Sequence, residues 1–400
     1  MSIRINGVGT SLVDYLYSDV DFSGEPFRAL LSQRPGDGGI VPGALTFVSD
    51  LERYTGRQLE ELLSSVVGNR KPDSSNVGGP AVVALLHAAQ LCAGRENAER
   101  HPDVQVSFFG AKGQDATADQ IDGVLSNTPL DTSGYQERPG RTPVTYVLSD
   151  PSYAGGQGER SFINDIGAAW EYRPEDLPEH FFSGDIVLFG GTALVPRIHD
   201  GLTGLLQRAK EQGAFTIVNT VYDFRNQQLN PDEKWPLGES DESYELIDLL
   251  LCDREEALRL SGQQSVDAAL TQFRAWGTAA AVVTQGANDT VAYAQEGRFA
   301  PVETRRFPVS ARIQSELAEG AGRNGDTTGC GDNFVGGVVA SIAQQLEWGG
   351  PLELTDAIAL GTASGGFTCF YMGGTYGEQH RGEKWERIEP YYRECRERHV

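Results

Sequence analysis

The chain has 400 residues, enough for a large core, and a formal net charge of −23. So acidic a chain carries no electrostatic footprint for nucleic acid, although local positive spots can still bind small anions. No apolar run is long enough for a membrane span, and five scattered cysteines (Cys92, Cys252, Cys330, Cys369 and Cys395) without CxxC spacing argue against a disulfide framework or a structural zinc.

The opening stretch, MSIRINGVGTSLVDYLYSD, reads as a buried strand and a loop rather than a signal peptide, so a cytoplasmic location is expected. AVVALLHAAQLCAG then reads as a helix ending at glycine. VQVSFFGAKGQD is a strand followed by a glycine turn, and DIVLFGG is a further strand. RIHDGLTGLLQRAKEQG predicts a helix, AFTIVNT a strand, and SYELIDLLLCD with REEALRLSG a short buried segment, a turn and a helix. AWGTAAAVVTQG leads into another strand, and DNFVGGVVASIAQQL and LTDAIALGTASGGFTCFYM supply two late helices. This alternation predicts an α/β fold with a mainly parallel sheet covered by helices, which binds ligands beyond the strand C-termini.

Two regions break the rhythm. Residues 15–70 are long, polar and rich in turns, and residues 132–168 contain RTPVTYVLSD and PSYAGGQGERSFINDIGAA. Both read as β-rich additions, either a small sheet covering the site or decorative loops.

The chemistry concentrates in NGDTTGCGDNF, residues 324–334. Gly329 and Gly331 can take backbone angles closed to other residues. Their amides, with that of Cys330, can converge as an anion nest at the positive end of the helix that follows. Asp332 would repel a phosphate held there. It makes sense as a base that takes a hydroxyl proton while the amides hold the phosphoryl group. The plain alternative is a helix cap after a tight turn. No GK[ST] follows the glycines, so this is not a Walker A loop.

DTTGCGDNF resembles the C-terminal signature of the ribokinase-like, PfkB-type sugar and nucleoside kinases, usually DTxGAGD, with Cys330 in the alanine position. GVGTSLVD resembles the family's first strand and substrate loop, GERSFINDIGA its lid segment, LLLCDREEA its NxxE segment, and VVTQGANDTVAY its nucleotide-side strand and turn. These pieces occur in the family's order over most of the chain.

The resemblance implies a single ribokinase-like domain over residues 1–400, a three-layer fold with a small β-rich lid. It implies transfer of the ATP γ-phosphate to an alcohol, with Asp332 as base and the Gly329, Cys330 and Gly331 amides as anion hole. Asp14 would bind substrate hydroxyls, and Gly78 and Gly79 would let the substrate approach. Val83 stands where the family has an asparagine, which Asn76 could replace. Asp253 and Glu256 would favour Mg2+ through water. Thr284, Gly286, Arg225 and Thr327 would meet the nucleotide, and Asp326 with Thr328 would begin a K+ loop. Arg160 and Lys112 read as solvent-facing lid and loop charges, the alternative being contact with an anionic substrate, and His87 as a core histidine. The acceptor expected is a sugar or related polyol. The alternatives are a nucleoside, with Phe27, Phe47 and Tyr54 packing a base, or a noncatalytic sensor. Pairing through lid strands would give a homodimer.

Overall fold

The computed structural model describes residues 2–34, 36–93, 103–156, 158–322 and 325–399. Its strands in chain order are β1 (Ile3–Gly9), β2 (Leu12–Tyr17), β3 (Leu45–Phe47), β4 (Ser74–Gly78), β5 (Val104–Lys112), β6 (Asp131–Glu137) and β7 (Val144–Asp150). Then follow β8 (Glu159–Asp165), β9 (Ile186–Gly190), β10 (Phe215–Asn219), β11 (Leu249–Asp253), β12 (Ala280–Gln285), β13 (Asn288–Ala294) and β14 (Val302–Phe307). Five helices position the site: α1 (Pro80–Ala93), α2 (Arg254–Ser261), α3 (Cys330–Trp348), α4 (Leu354–Thr368) and α5 (Glu383–His399).

The main sheet has nine strands in the order β14-β13-β12-β11-β10-β9-β1-β5-β6. From β6 to β12 every pairing is parallel, while β13 and β14 are antiparallel additions at the far edge. β9 and β10 are buried at every position, as expected of strands covered on both faces. One apolar cluster, including α1, α3 and α4, fills one face, and another, including Phe181, Phe189 and Phe273, fills the other. The close seating of α1 depends on Gly9, where a Cβ would stand 2.4 Å from the Ala81 Cβ and 2.1 Å from the Gly190 carbonyl oxygen.

A second sheet has five strands in the order β3-β8-β7-β2-β4. The chain passes from β1 in one sheet to β2 in the other through Thr10 and Ser11 alone. Tyr17, Leu148 and Ile163 on its outer face are covered by Phe27, Leu51, Leu59 and Leu62 of three short helices, Glu25–Arg28, Val48–Thr55 and Leu59–Val67. The inner face carries a row of polar groups aligned across four strands: Asn76, Asp14, Thr145 and Asn164, with Phe47 at the end.

Three details differ from the sequence reading. Residues 15–70 form three short helices joined by turns and irregular segments, contributing only the end of β2 and the short β3 as strand. Residues 132–137 belong to β6, the edge of the main sheet, because the chain returns beside β5 before it enters the second sheet. The single helix expected from Arg197 onward is two, Pro196–Asp200 and Leu202–Glu211, divided at Gly201.

Candidate active site

The turn before α3 is fixed from several directions. Gly329 caps the helix at φ +75°, and a Cβ there would come 2.4 Å from the Gly374 Cα. The Asn333 amide donates to the Gly329 carbonyl at 2.9 Å and to the Gly374 carbonyl at 2.8 Å. Asp326 Oδ1 accepts the Thr328 and Gly373 backbone N–H groups, both at 3.1 Å, and its Oδ2 accepts the Thr328 hydroxyl at 2.9 Å. The Cys330 amide makes a long 3.3 Å bond to the Thr327 carbonyl. Beside Gly331 a Cβ would meet open space, so the mouth of the helix is accessible.

Beneath this turn lies a lysine that the sequence reading passed over. Lys384, on α5, is 1% exposed, and its Nζ donates to Gln90 Oε1 at 2.9 Å and Asn333 Oδ1 at 3.1 Å. Burial pushes its pKa down to about 7, with the Glu378 charge opposing. Between that value and the ordinary one near 10.5 the folded protein holds fewer protons than the unfolded chain, so the lysine's net contribution to stability rises with pH. Lys384→Met removes a donor shared by two buried oxygens. It is expected to cost about 1–3 kcal/mol at pH 9 and less at pH 7, read by urea unfolding. A deficit that shrinks with rising pH would show that Lys384 does not carry a depressed pKa.

Three carboxylates of the site are pushed up from the ordinary carboxylate range. Burial raises the Asp332 pKa to about 6. Asp14 is pushed up to about 7, by burial first and then by the charges of Asp332 and Asp326, against a hydrogen bond from Thr145. Glu256 is raised to about 8 by burial, then by Asp253, with a smaller push from Asp332. Asp332 thus lies within electrostatic reach of both Asp14 and Glu256. Gly78 makes room for the first of these, since a Cβ there would stand 2.3 Å from Asp14 Oδ2. Gly79 turns the chain from β4 into α1 at φ +110°, where a Cβ would stand 2.5 Å from the Thr10 carbonyl oxygen. Asn164 donates to the Thr145 hydroxyl at 2.9 Å, and its own Oδ1 is buried without a partner.

Asp253 and Glu256 form the reciprocal capping box of α2. Asp253 Oδ1 accepts the Glu256 N–H at 2.8 Å, and Glu256 Oε2 accepts the Asp253 N–H at 2.9 Å and the Thr220 hydroxyl at 2.7 Å. Each carboxylate keeps an oxygen outside the box. No group of three or more His, Cys, Asp or Glu able to hold a metal ion occurs among the described residues. Two carboxylates with an oxygen each to spare would suit Mg2+ held through water, which that ion favours over an all-protein cage. Asp326 does not fit K+ in the same way, because its oxygens already face Thr328, Gly373 and the Arg160 guanidinium, which lies 3.7 Å away.

Thr284 is in register with Asp253 at the C-terminal end of β12. Gly286 follows at φ +61° with open space beside it, and Thr327 is exposed. The structure does not bring Arg225 to this group. Its guanidinium is bound by Asp200, and it lines a cavity of about 960 Å³ with Phe47, Arg141, Asn164, Trp170 and Gln228. Arg160 is the converse case: from β8 its guanidinium reaches Thr328 Oγ1, 3.4 Å away, while the side chain stays about a third exposed. Lys112 pairs with Asp122 and stands over the Tyr135 ring. Of the three aromatics considered for packing a base, Phe27 is in the outer core, Tyr54 donates to the Leu31 carbonyl, and Phe47 lines the cavity. Val83 is buried against Gly374, and Asn76 lies against Gly373. His87 is fully buried and kept neutral, its pKa driven well below the ordinary value by burial.

A family model for pfkB family carbohydrate kinases matches residues 74–381. A fructokinase of Vibrio alginolyticus is 24% identical over 269 residues, which are 67% of this chain and 80% of that protein. Among solved structures, adenosine kinase from Sinorhizobium meliloti superposes with a TM-score of 0.68 at 18% identity, covering 97% of this chain and all of its own. Ribokinase from Thermotoga maritima gives 0.60 at 17% identity, with 98% of this chain and 99% of that one covered. The fold is ribokinase-like. With its matched segment spanning Asn76, Thr145 and Asn164 of the polar row, the capping box and the glycine turn, the chain belongs to the pfkB family of carbohydrate kinases.

Proposed function

We propose that this chain transfers the γ-phosphate of ATP to a hydroxyl of a sugar or related polyol, with Asp332 as the general base. The observation that carries this reading is the place of Asp332. It stands at the N-terminal mouth of α3, within electrostatic reach of Asp14 on the second sheet and of Glu256 on α2. Asp14 and Asn76 hold the acceptor hydroxyls, and Gly78 and Gly79 leave room for its ring. The Gly329, Cys330 and Gly331 amides and the positive end of α3 receive the charge of the transferred group. Thr284, Gly286 and Thr327 border the nucleotide. Asp253 and Glu256 would hold Mg2+ through water, and when bound the ion offsets the negative charge of the phosphate oxygens. The second sheet acts as a lid that excludes water and favours the acceptor over hydrolysis. Arg160 ties that lid to the glycine turn.

A nucleoside acceptor is the second reading. The 960 Å³ cavity begins at Asn164 in the acceptor row and continues to Phe47 and Trp170. That is near the top of the range of roughly 300–1,000 Å³ for ligand sites and offers aromatic surface to a base. ADP release with ATP, Mg2+ and a panel of sugars, sugar phosphates and nucleosides separates the readings. Turnover with sugars is expected. Turnover with nucleosides alone would favour the second reading, and ATP binding without turnover on any acceptor would favour a sensor.

A further inference from the structure

The residue that departs from the usual signature, Cys330, does not stand alone. Its Sγ lies 3.5 Å from the Sγ of Cys369, the residue that ends α4. Both side chains are partly exposed, and neither is in a disulfide. The two backbones are also in close contact with their surroundings. A Cβ on Gly365 would stand 2.8 Å from the Cys330 carbonyl oxygen, and one on Gly325 would stand 2.0 Å from the Cys369 carbonyl oxygen. The thiol pair therefore joins the first residue of α3 to the end of α4 and to the segment that precedes the glycine turn.

We propose that Cys330 and Cys369 form a reversible disulfide in the presence of a hydroperoxide, and that this bond displaces the glycine turn and suppresses phosphoryl transfer. The effect on transfer rests on the function proposed above. The bond itself does not.

The chemistry starts at Cys369. Either sulfur can donate in the 3.5 Å contact; with Cys330 as donor, the Cys369 thiol is lowered to about 7, outweighing burial and the charge of Asp326. The same contact, with burial and the charges of Asp326 and Asp332, raises Cys330. Cys369 is thus the thiolate and Cys330 the resolving thiol. The Cys369 sulfur attacks hydrogen peroxide. An S–O bond forms, the O–O bond breaks, and the leaving hydroxide takes a proton to become water. The Cys330 sulfur then attacks the sulfenic sulfur and gives up its proton. The S–S bond forms, the S–O bond breaks, and a second water leaves. Two thiols are oxidised by two electrons, which reduce one peroxide to two waters. A dithiol reverses the exchange.

Closing the gap from 3.5 Å to a bond of about 2.05 Å draws the start of α3 towards α4. The adjoining turn is held by Asn333, Gly374 and Asp326, so it cannot follow without losing those contacts. A shift of about 1 Å at such a site can cost about a hundredfold in rate.

The full chain is treated with hydrogen peroxide, quenched with catalase and digested without reductant. The expected result is a cross-linked peptide joining Cys330 and Cys369, lighter by two hydrogens than the two reduced peptides. Turnover should fall at least about tenfold and return with dithiothreitol. Cys369→Ser and Cys369→Ala, treated alongside, should keep their own untreated turnover. Amide exchange across residues 325–334 should change in the oxidised parent and not in either variant, a readout that needs no turnover. If the untreated protein turned over no acceptor, the proposed function would fail while the cross-link and amide exchange still decided this inference. Absence of the cross-link at peroxide levels that oxidise the other thiols would overturn it. So would a cross-link that leaves exchange unaltered, or equal inactivation of the Cys369 variants.

Discussion

Asp332→Asn is expected to lower kcat by about a thousandfold while leaving the KM for ATP within a few-fold of the parent. A positioned general base contributes roughly 10²–10⁴. Asparagine keeps the shape of the side chain but cannot accept the acceptor's proton. The elements that would hold nucleotide do not depend on the Asp332 carboxylate: the turn is fastened by Asn333 and Asp326, and the α2 capping box closes on Asp253, Glu256 and Thr220. In the parent, kcat/KM should fall as pH drops through about 6, where burial places the Asp332 carboxyl, because the protonated form cannot act as base. The residual activity of the variant should lack that limb and keep only the loss near 7 that protonation of Asp14 causes in acceptor binding. Steady-state ADP production from pH 5 to 9, with circular dichroism to verify folding, makes the comparison. A folded variant retaining more than about a tenth of parent turnover would remove Asp332 from the role of base.

The parts of this arrangement that were legible in the sequence are those whose signal is local. β9, β10 and β11 announce themselves as apolar runs ended by glycine or polar residues, and α1 as a continuous buried stretch after a glycine pair. Asp332 was legible because the glycines that shape its surroundings are its neighbours in the chain. The polar row on the second sheet was not. Asn76, Asp14, Thr145 and Asn164 lie on four strands, and only the pairing register puts them side by side. For the same reason the need for glycine at position 78 became visible only once Asp14 was seen against it. Lys384 sits in EKWERIEPYYRECRERH, whose density of charge reads as a solvated face, yet its ammonium is turned beneath the glycine turn. Arg160, about a third exposed, reaches Thr328 from 168 residues away, a contact that no local signal shows. The three helices Glu25–Arg28, Val48–Thr55 and Leu59–Val67 are too short to be stable alone, and they take shape by covering the outer face of the second sheet.

Asp14→Asn is expected to lower kcat/KM for the acceptor by about a hundredfold and, at pH 8, to make the protein more stable. The loss follows from the chemistry of the row. A carboxylate accepts two hydroxyl hydrogen bonds, each charge-assisted and worth roughly 1.5–3 kcal/mol, while an amide offers one acceptor and turns a donor towards the other hydroxyl. The gain follows from burial. Asp14 titrates near 7 in the folded protein and near 3.8 when unfolded, so between those values the native state holds a proton that the unfolded chain has released. The parent therefore loses stability as pH rises from about 4 to about 7, and the loss is constant above that. Asparagine carries no such cost. The advantage of the variant should grow across that window and reach about 1–3 kcal/mol at pH 8, less than the full shift implies because the carboxylate is partly solvated. Urea unfolding at pH 4 and pH 8, beside acceptor kinetics at pH 8, tests both halves. A stability difference equal at the two pH values would mean that Asp14 is not strained by its neighbours, and unchanged acceptor kinetics would take it out of the acceptor site. Gained stability with lost turnover would mark Asp14 as a charge kept for binding at the expense of the fold, in line with the trade between stability and activity at such sites.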